Sequence, residues 1–190
     1  NSISKGSAHY GEALKEEAKT VAGYQIDVTV NMENEAQAAD SVALITAAGA
    51  VAKSEGKALS VKGDYVAILN ACLEDSDKMY NNDGAALKVK YPAYEGKDDR
   101  QVLYNWYKIL SGFDKALKKQ EAFAQAKVAV NMNAKVVETA YNYYKVVPEE
   151  IKDKAGIVTF SLAFYVIYTM WYGFAILFVF EGWGLKISGH

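Results

Sequence analysis

Apolar residues recur every three or four positions through most of the chain; then, from Ala155 to Phe180, twenty-six residues pass without a charge. The first pattern is that of amphipathic helices. The second, at about 1.5 Å rise per residue, is long enough to cross a hydrocarbon layer of about 30 Å. Together they predict an aqueous helical domain tethered by one C-terminal membrane helix.

Within the aqueous part, Tyr10, Leu14, Ala18 and Val21 define a first face that ends near Gly23. A second runs from about Glu33 through Val42, Ile45, Ala48 and Ala52, with Gly56 as its stop. Ser60 is placed to cap a third helix carrying Tyr65, Leu69, Cys72 and Met79, and Asn81-Asn82-Asp83-Gly84 breaks it. Residues 81–97 then read as a loop, with Leu87-Lys88-Val89-Lys90 as a short extended piece and Tyr91-Pro92-Ala93-Tyr94 behind it. A loop of that length is either partner-facing or a plain surface excursion. Asp98 and Asp99 open the most regular helix, with Val102, Trp106, Leu110, Phe113 and Leu117 on one face. The face of Phe123, Ala126, Val130, Ala134, Val137, Tyr141 and Tyr144 follows after a bend near Lys119, which antiparallel return requires. Val28 to Met32 and Val128 to Met132 both read V-x-V-N-M, too short a match to argue duplication. The fold class this predicts is all-α: an antiparallel four- to five-helix bundle over residues 1–147, a transmembrane helix with its entry turn over 148–181, and a short tail over 182–190.

Pro148-Glu149-Glu150 suits a helix start, with acidic residues at the N-terminal end of the helix dipole and Lys152, Asp153 and Lys154 at the interface. Lys145, Lys152 and Lys154 before the span against Lys186 after it would place the domain in the cytoplasm by the positive-inside rule. The chain opens at Asn1 without an initiator Met, which we read as a processed leader, and that reverses the expectation to the exported or lumenal side. Within the span, Ser161, Tyr165, Tyr168 and Tyr172 are spaced four, three and four apart and share one face. Tyrosine belongs at the headgroup level, so phenols at depth predict contact with a partner helix, a pigment or a quinone-like molecule rather than acyl chains. The competing reading is an isolated anchor whose phenols snorkel. The opposite face, with Phe160, Ala163, Ile167, Phe174 and Leu177, suits acyl chains.

Composition narrows the chemistry. The formal charge of -2 arises from interleaved acids and bases, which excludes an electrostatic footprint for nucleic acid. Lysine supplies every basic residue except Arg100, so planar forks for phosphate or carboxylate are nearly absent. Cys72 is the single cysteine and reads as a buried, inert thiol; His9 and His190 are the only histidines. No phosphate loop and no nucleophile elbow occurs. Glu74-Asp75-Ser76-Asp77, with Asp83, has enough oxygens for a hard cation, although a solvated helix end explains it as well. Glu181 at the membrane exit suits the headgroups, with ligation of a metal or pigment magnesium as the alternative. Of the aromatic groups, Tyr104, Trp106 and Tyr107 read as core and rim, Tyr141 and Tyr144 as inward, and Tyr143 as outward.

These features predict a non-catalytic single-pass subunit of a larger membrane complex, with no metal and no intrinsic cofactor. Its expected partners are other membrane subunits and the bilayer. The layout resembles that of supernumerary subunits of respiratory or photosynthetic complexes, including linkers between a photosystem core and its antenna. The bundle resembles in outline the extrinsic four-helix subunits of photosystem II. That resemblance is one of architecture; the Glu paired with Arg by which antenna proteins hold chlorophyll in their membrane helices is absent, so any pigment or lipid contact, at Tyr165, Tyr168, Tyr172 and Glu181, is expected to be incidental. The alternative is a membrane-tethered sensor or ligand-binding module resembling bacterial four-helix receptor domains.

Overall fold

The computed structural model describes Lys5, residues 11–147 and residues 155–184, and the chain divides into two units between Val147 and Pro148. Tyr10, His9, the Pro148-Glu149-Glu150 turn, Lys152, Asp153, Lys154, Lys186 and His190 lie outside the described residues. The first unit is not all-α, and the expectation of a simple antiparallel bundle is wrong. Helices α1 (Gly11–Lys19), α2 (Glu35–Ala47) and α3 (Tyr65–Tyr80) are interleaved with strands β1 (Gln25–Asn31), β2 (Val51–Glu55) and β3 (Ala58–Asp64). The strands form one antiparallel sheet in the order β1-β3-β2. Helices α4 (Gly84–Lys90), α5 (Gln101–Lys119), α6 (Phe123–Met132) and α7 (Glu138–Tyr143) complete the unit.

Period-two patterning builds the sheet. Ile26, Val28 and Val30 are buried while Gln25, Asp27, Thr29 and Asn31 are exposed, and β-branched side chains suit such a half-buried pleat. In β3 the same alternation buries Leu59 and Val61 and exposes Ser60 and Lys62. Ser60 is therefore a strand residue rather than a helix cap, and Asp64 caps α3 instead, accepting from the Ala67 N–H at 3.0 Å. The expected second helix stops at Ala47, well short of Ala52. Gly56 turns the β2–β3 hairpin with a left-handed φ of 55° at the first position of a two-residue loop. The pentapeptide V-x-V-N-M occurs in both states: Val28 to Asn31 is strand, whereas Val128 to Met132 closes α6.

Helix α3 is the centre of this unit. It buries Ile68, Leu69, Ala71, Cys72, Leu73, Asp75, Ser76 and Met79, and so is covered on nearly every side. Asp75 accepts hydrogen bonds from Lys90 Nζ at 2.7 Å, Tyr91 Oη at 2.6 Å and Trp106 Nε1 at 2.9 Å. A second buried network joins Gln37, Gln101 and Tyr94 through the side chain of Asn105. Residues 81–97 are consequently no surface loop. Residues 84–90 are helical, not extended, Pro92–Tyr94 forms a single 3₁₀ turn, and Leu87, Tyr91 and Tyr94 are buried.

The bend near Lys119 is present: Glu121 takes a φ of 61° and α6 returns along α5. A π-helical turn at Asn133–Val137 then leads into α7. Where the unit ends, Lys5 Nζ donates to the carbonyls of Tyr143 at 3.0 Å and Val146 at 2.7 Å. Asn82 accepts from the Lys145 N–H at 2.6 Å, so both ends of the unit are tied together.

The second unit is a single helix, α8 (Ala155–Gly182), of 28 residues. Among the described residues it alone is long and apolar enough to cross a membrane, with a mean hydropathy of 1.8 over its most apolar window.

Candidate functional site

At about 100° per residue, Ser161, Tyr165, Tyr168 and Tyr172 fall within an arc of about 60° on α8. The expected stripe is thus present on one face. Tyr165, Tyr168 and Tyr172 are 64%, 57% and 59% exposed. The Tyr168 and Tyr172 rings stack one turn apart, with centroids 6.4 Å apart and an interplanar angle of 16°. None of the three phenol hydroxyls has a hydrogen-bond partner among the described residues. Thr169, beside the stripe, differs: its hydroxyl lies 2.7 Å from the Tyr165 carbonyl and 2.9 Å from that of Val166, so its polarity is met inside the helix. Glu181 sits about 200° round from Ser161 and does not join the stripe.

The candidate chemistry elsewhere in the sequence dissolves into the core. Among the described residues no group of three or more His, Cys, Asp and Glu side chains is placed to hold a metal ion. Asp75 of the acidic run faces the interior, where it meets Lys90, Tyr91 and Trp106. Burial pushes the Cys72 thiol well above its ordinary value, with the nearby Asp75 charge adding to it, so the thiolate is suppressed. Trp106 is fully buried, whereas Tyr104 and Tyr107 stack on the surface at 6.4 Å beneath the Lys108 ammonium. Tyr141 is exposed rather than inward, with the Arg100 guanidinium 5.3 Å from its ring. Tyr144 is buried and donates to Asp99, while Tyr143 is half-buried against Tyr80.

Sequence reasoning missed a groove of about 860 Å³ in the first unit, a volume within the range of ligand sites. One wall is the chain from Val28 in β1 to Glu33 just past its end, the floor is α5, and the other wall is α6 with the π turn. Its depth follows from a close crossing: a Cβ on Gly112 would lie 2.0 Å from Val30 Cγ1, so only glycine lets α5 approach β1 this closely. Asn133 fastens the far wall, its Nδ2 donating to the Tyr107 carbonyl at 3.2 Å and to Ser111 Oγ at 3.0 Å. At one end Glu33 takes Lys108 Nζ at 2.6 Å and Tyr104 Oη at 2.8 Å, and these two contacts hold its carboxyl below the usual carboxylate range. At the other end, Lys115 and Lys119 are exposed and form no ion pair among the described residues. The period-two run of β1 was the signal that could have revealed this wall.

Compared with known families, curated proteins and solved structures, the chain matches none.

Proposed function

We propose that the chain is a non-catalytic, single-pass subunit of a larger membrane-embedded complex, photosynthetic or respiratory in kind. In this reading α8 packs on partner helices through Ser161, Tyr165, Tyr168 and Tyr172. Residues 1–147 dock or link on the exported or lumenal side. The observation that carries the proposal is the stripe of phenols with unbonded hydroxyls around Tyr168, near the middle of an apolar helix. A hydroxyl left unpaired in hydrocarbon costs several kcal/mol, on the order of 2–7. A carbonyl or hydroxyl on a neighbouring helix removes that cost, and acyl chains do not. Glu181, on another side of the helix, belongs with the headgroups.

Solubilisation in mild detergent, a native gel and mass spectrometry of the co-migrating chains test the proposal, and the subunits recovered name the complex. Tyr168→Leu is expected to release the chain from the assembly, whereas Ile167→Leu on the opposite face leaves it bound. A wild-type chain that runs alone as a monomer refutes the subunit reading. Protease protection in sealed vesicles reads the side of the membrane.

A further inference from the structure

Strand register decides which backbone groups of β1 are used by the sheet. The Tyr65 N–H donates to the Tyr24 carbonyl at 3.1 Å and the Met32 N–H to the Lys57 carbonyl at 2.8 Å, one at each end of the β1–β3 ladder. Hydrogen-bonded and non-bonded pairs alternate along an antiparallel ladder, and both backbone groups of a residue point the same way. Ile26, Val28 and Val30 therefore bond β3, and the N–H and C=O groups of Asp27, Thr29 and Asn31 point to the free edge. The Asp27 carbonyl confirms this parity, because it accepts from Gln120 Nε2 of the α5–α6 turn at 2.9 Å. The backbone groups of Thr29 and Asn31 have no partner among the described residues, and they border the groove.

Edges left in this state are usually blunted by a proline, a bulge or a lysine. The register of β1 is unbroken from Gln25 to Asn31, and the strand holds neither proline nor lysine. The opposite edge, β2, is only five residues long and carries Lys53. Donors and acceptors repeating every second residue, about 6.6 Å apart, match another extended chain and no compact ligand.

We propose that the groove takes an extended segment of a partner protein, about five residues long, as a fourth strand on β1. The segment carries an acidic residue at the end near Lys115 and Lys119, and a basic residue at the opposite end, where the exposed Glu138 lines the groove beside Tyr104 and Tyr107. Its inner side chains rest on α5 around Gly112. This interaction is independent of the membrane reading, since it uses no residue of α8.

The test uses the full chain in detergent micelles and a fluorescein-labelled probe read by anisotropy. The probe is a peptide of about five alternating valine and threonine residues with glutamates at one end and lysines at the other, made in both charge orders. Saturable binding is expected, and N-methylation of alternate amides of one parity is expected to weaken it about tenfold, while the other parity is tolerated. Thr29→Pro, which removes only an edge-facing N–H, should weaken it similarly, with the circular dichroism spectrum checked for folding. Lys115→Glu with Lys119→Glu should weaken the preferred charge order several-fold. Absence of saturable binding, or equal loss from both methylation patterns, overturns the strand-addition proposal, and unchanged affinity in the lysine double variant overturns its acidic end.

Discussion

Gly112→Ala sets two effects of opposite sign against each other. Glycine in a helix interior is about 1 kcal/mol worse than alanine, so propensity alone predicts stabilisation. The added Cβ, however, would stand 2.0 Å from Val30 Cγ1, 2.9 Å from Cγ2 and 3.0 Å from Cβ. Carbon atoms sit best at about 3.5–4.0 Å, so α5 must retreat by roughly 1.5 Å or Val30 must leave its rotamer. A β-branched side chain has few alternatives, and overpacking of this kind costs about 1–3 kcal/mol and occasionally more. Because the overlap is with side-chain and Cβ atoms of a buried strand, the steric term wins, and we expect a net loss of about 1–2 kcal/mol. Urea unfolding of the full chain in micelles, followed by near-ultraviolet circular dichroism, measures it. Val30→Ala removes both methyl groups, so the double variant should be more stable than the sum of the singles by about 1–2 kcal/mol. A neutral or stabilised Gly112→Ala, or strictly additive singles, refutes the close-crossing argument.

Asp75→Ala is expected to cost about 3–5 kcal/mol, because it strands the Lys90 ammonium, the Tyr91 hydroxyl and the Trp106 N–H without their acceptor. Asp75→Asn, which keeps one acceptor oxygen, should cost less, and equal losses from the two substitutions would discount the hydrogen bonds. Asp99 is held below the usual carboxylate range chiefly by its hydrogen bond with Lys88, then by Tyr144 and Lys145. A depressed folded-state value stabilises above the unfolded value of about 4 and is lost as the pH falls below it. The stability gap between wild type and Asp99→Asn is therefore expected to be full at pH 6 and to shrink on acidification below about 4; a gap that stays constant with pH contradicts the ion-pair account.

The contrast between V-T-V-N-M in β1 and V-A-V-N-M in α6 shows where local reading stops. Both segments carry the same apolar spacing, yet the first pairs through Val28 to Asn31 with Ala58–Val61 and the second continues the run Phe123-Ala124-Gln125-Ala126. Pairing is a long-range event, and the helical periodicity of the neighbouring segments masked it. The same holds for Asp75. Its position in an acidic run suggested a solvated helix surface, but Lys90, Tyr91 and Trp106 arrive from other elements and make its burial tolerable. Leu87, Tyr91 and Tyr94 turned an apparent loop into core by the same route.

What the sequence alone determined is what one dimension can carry: the length and apolarity of α8, the stripe of Ser161, Tyr165, Tyr168 and Tyr172, the helical faces of α3 and α5, and the bend after Lys119. These depend on rise and rotation per residue, which act between near neighbours. The tertiary structure decided the sheet, the polar core and the groove beside β1. Each of those depends on which distant groups supply a hydrogen-bond partner or exclude water, and that is set only once the chain has closed on itself.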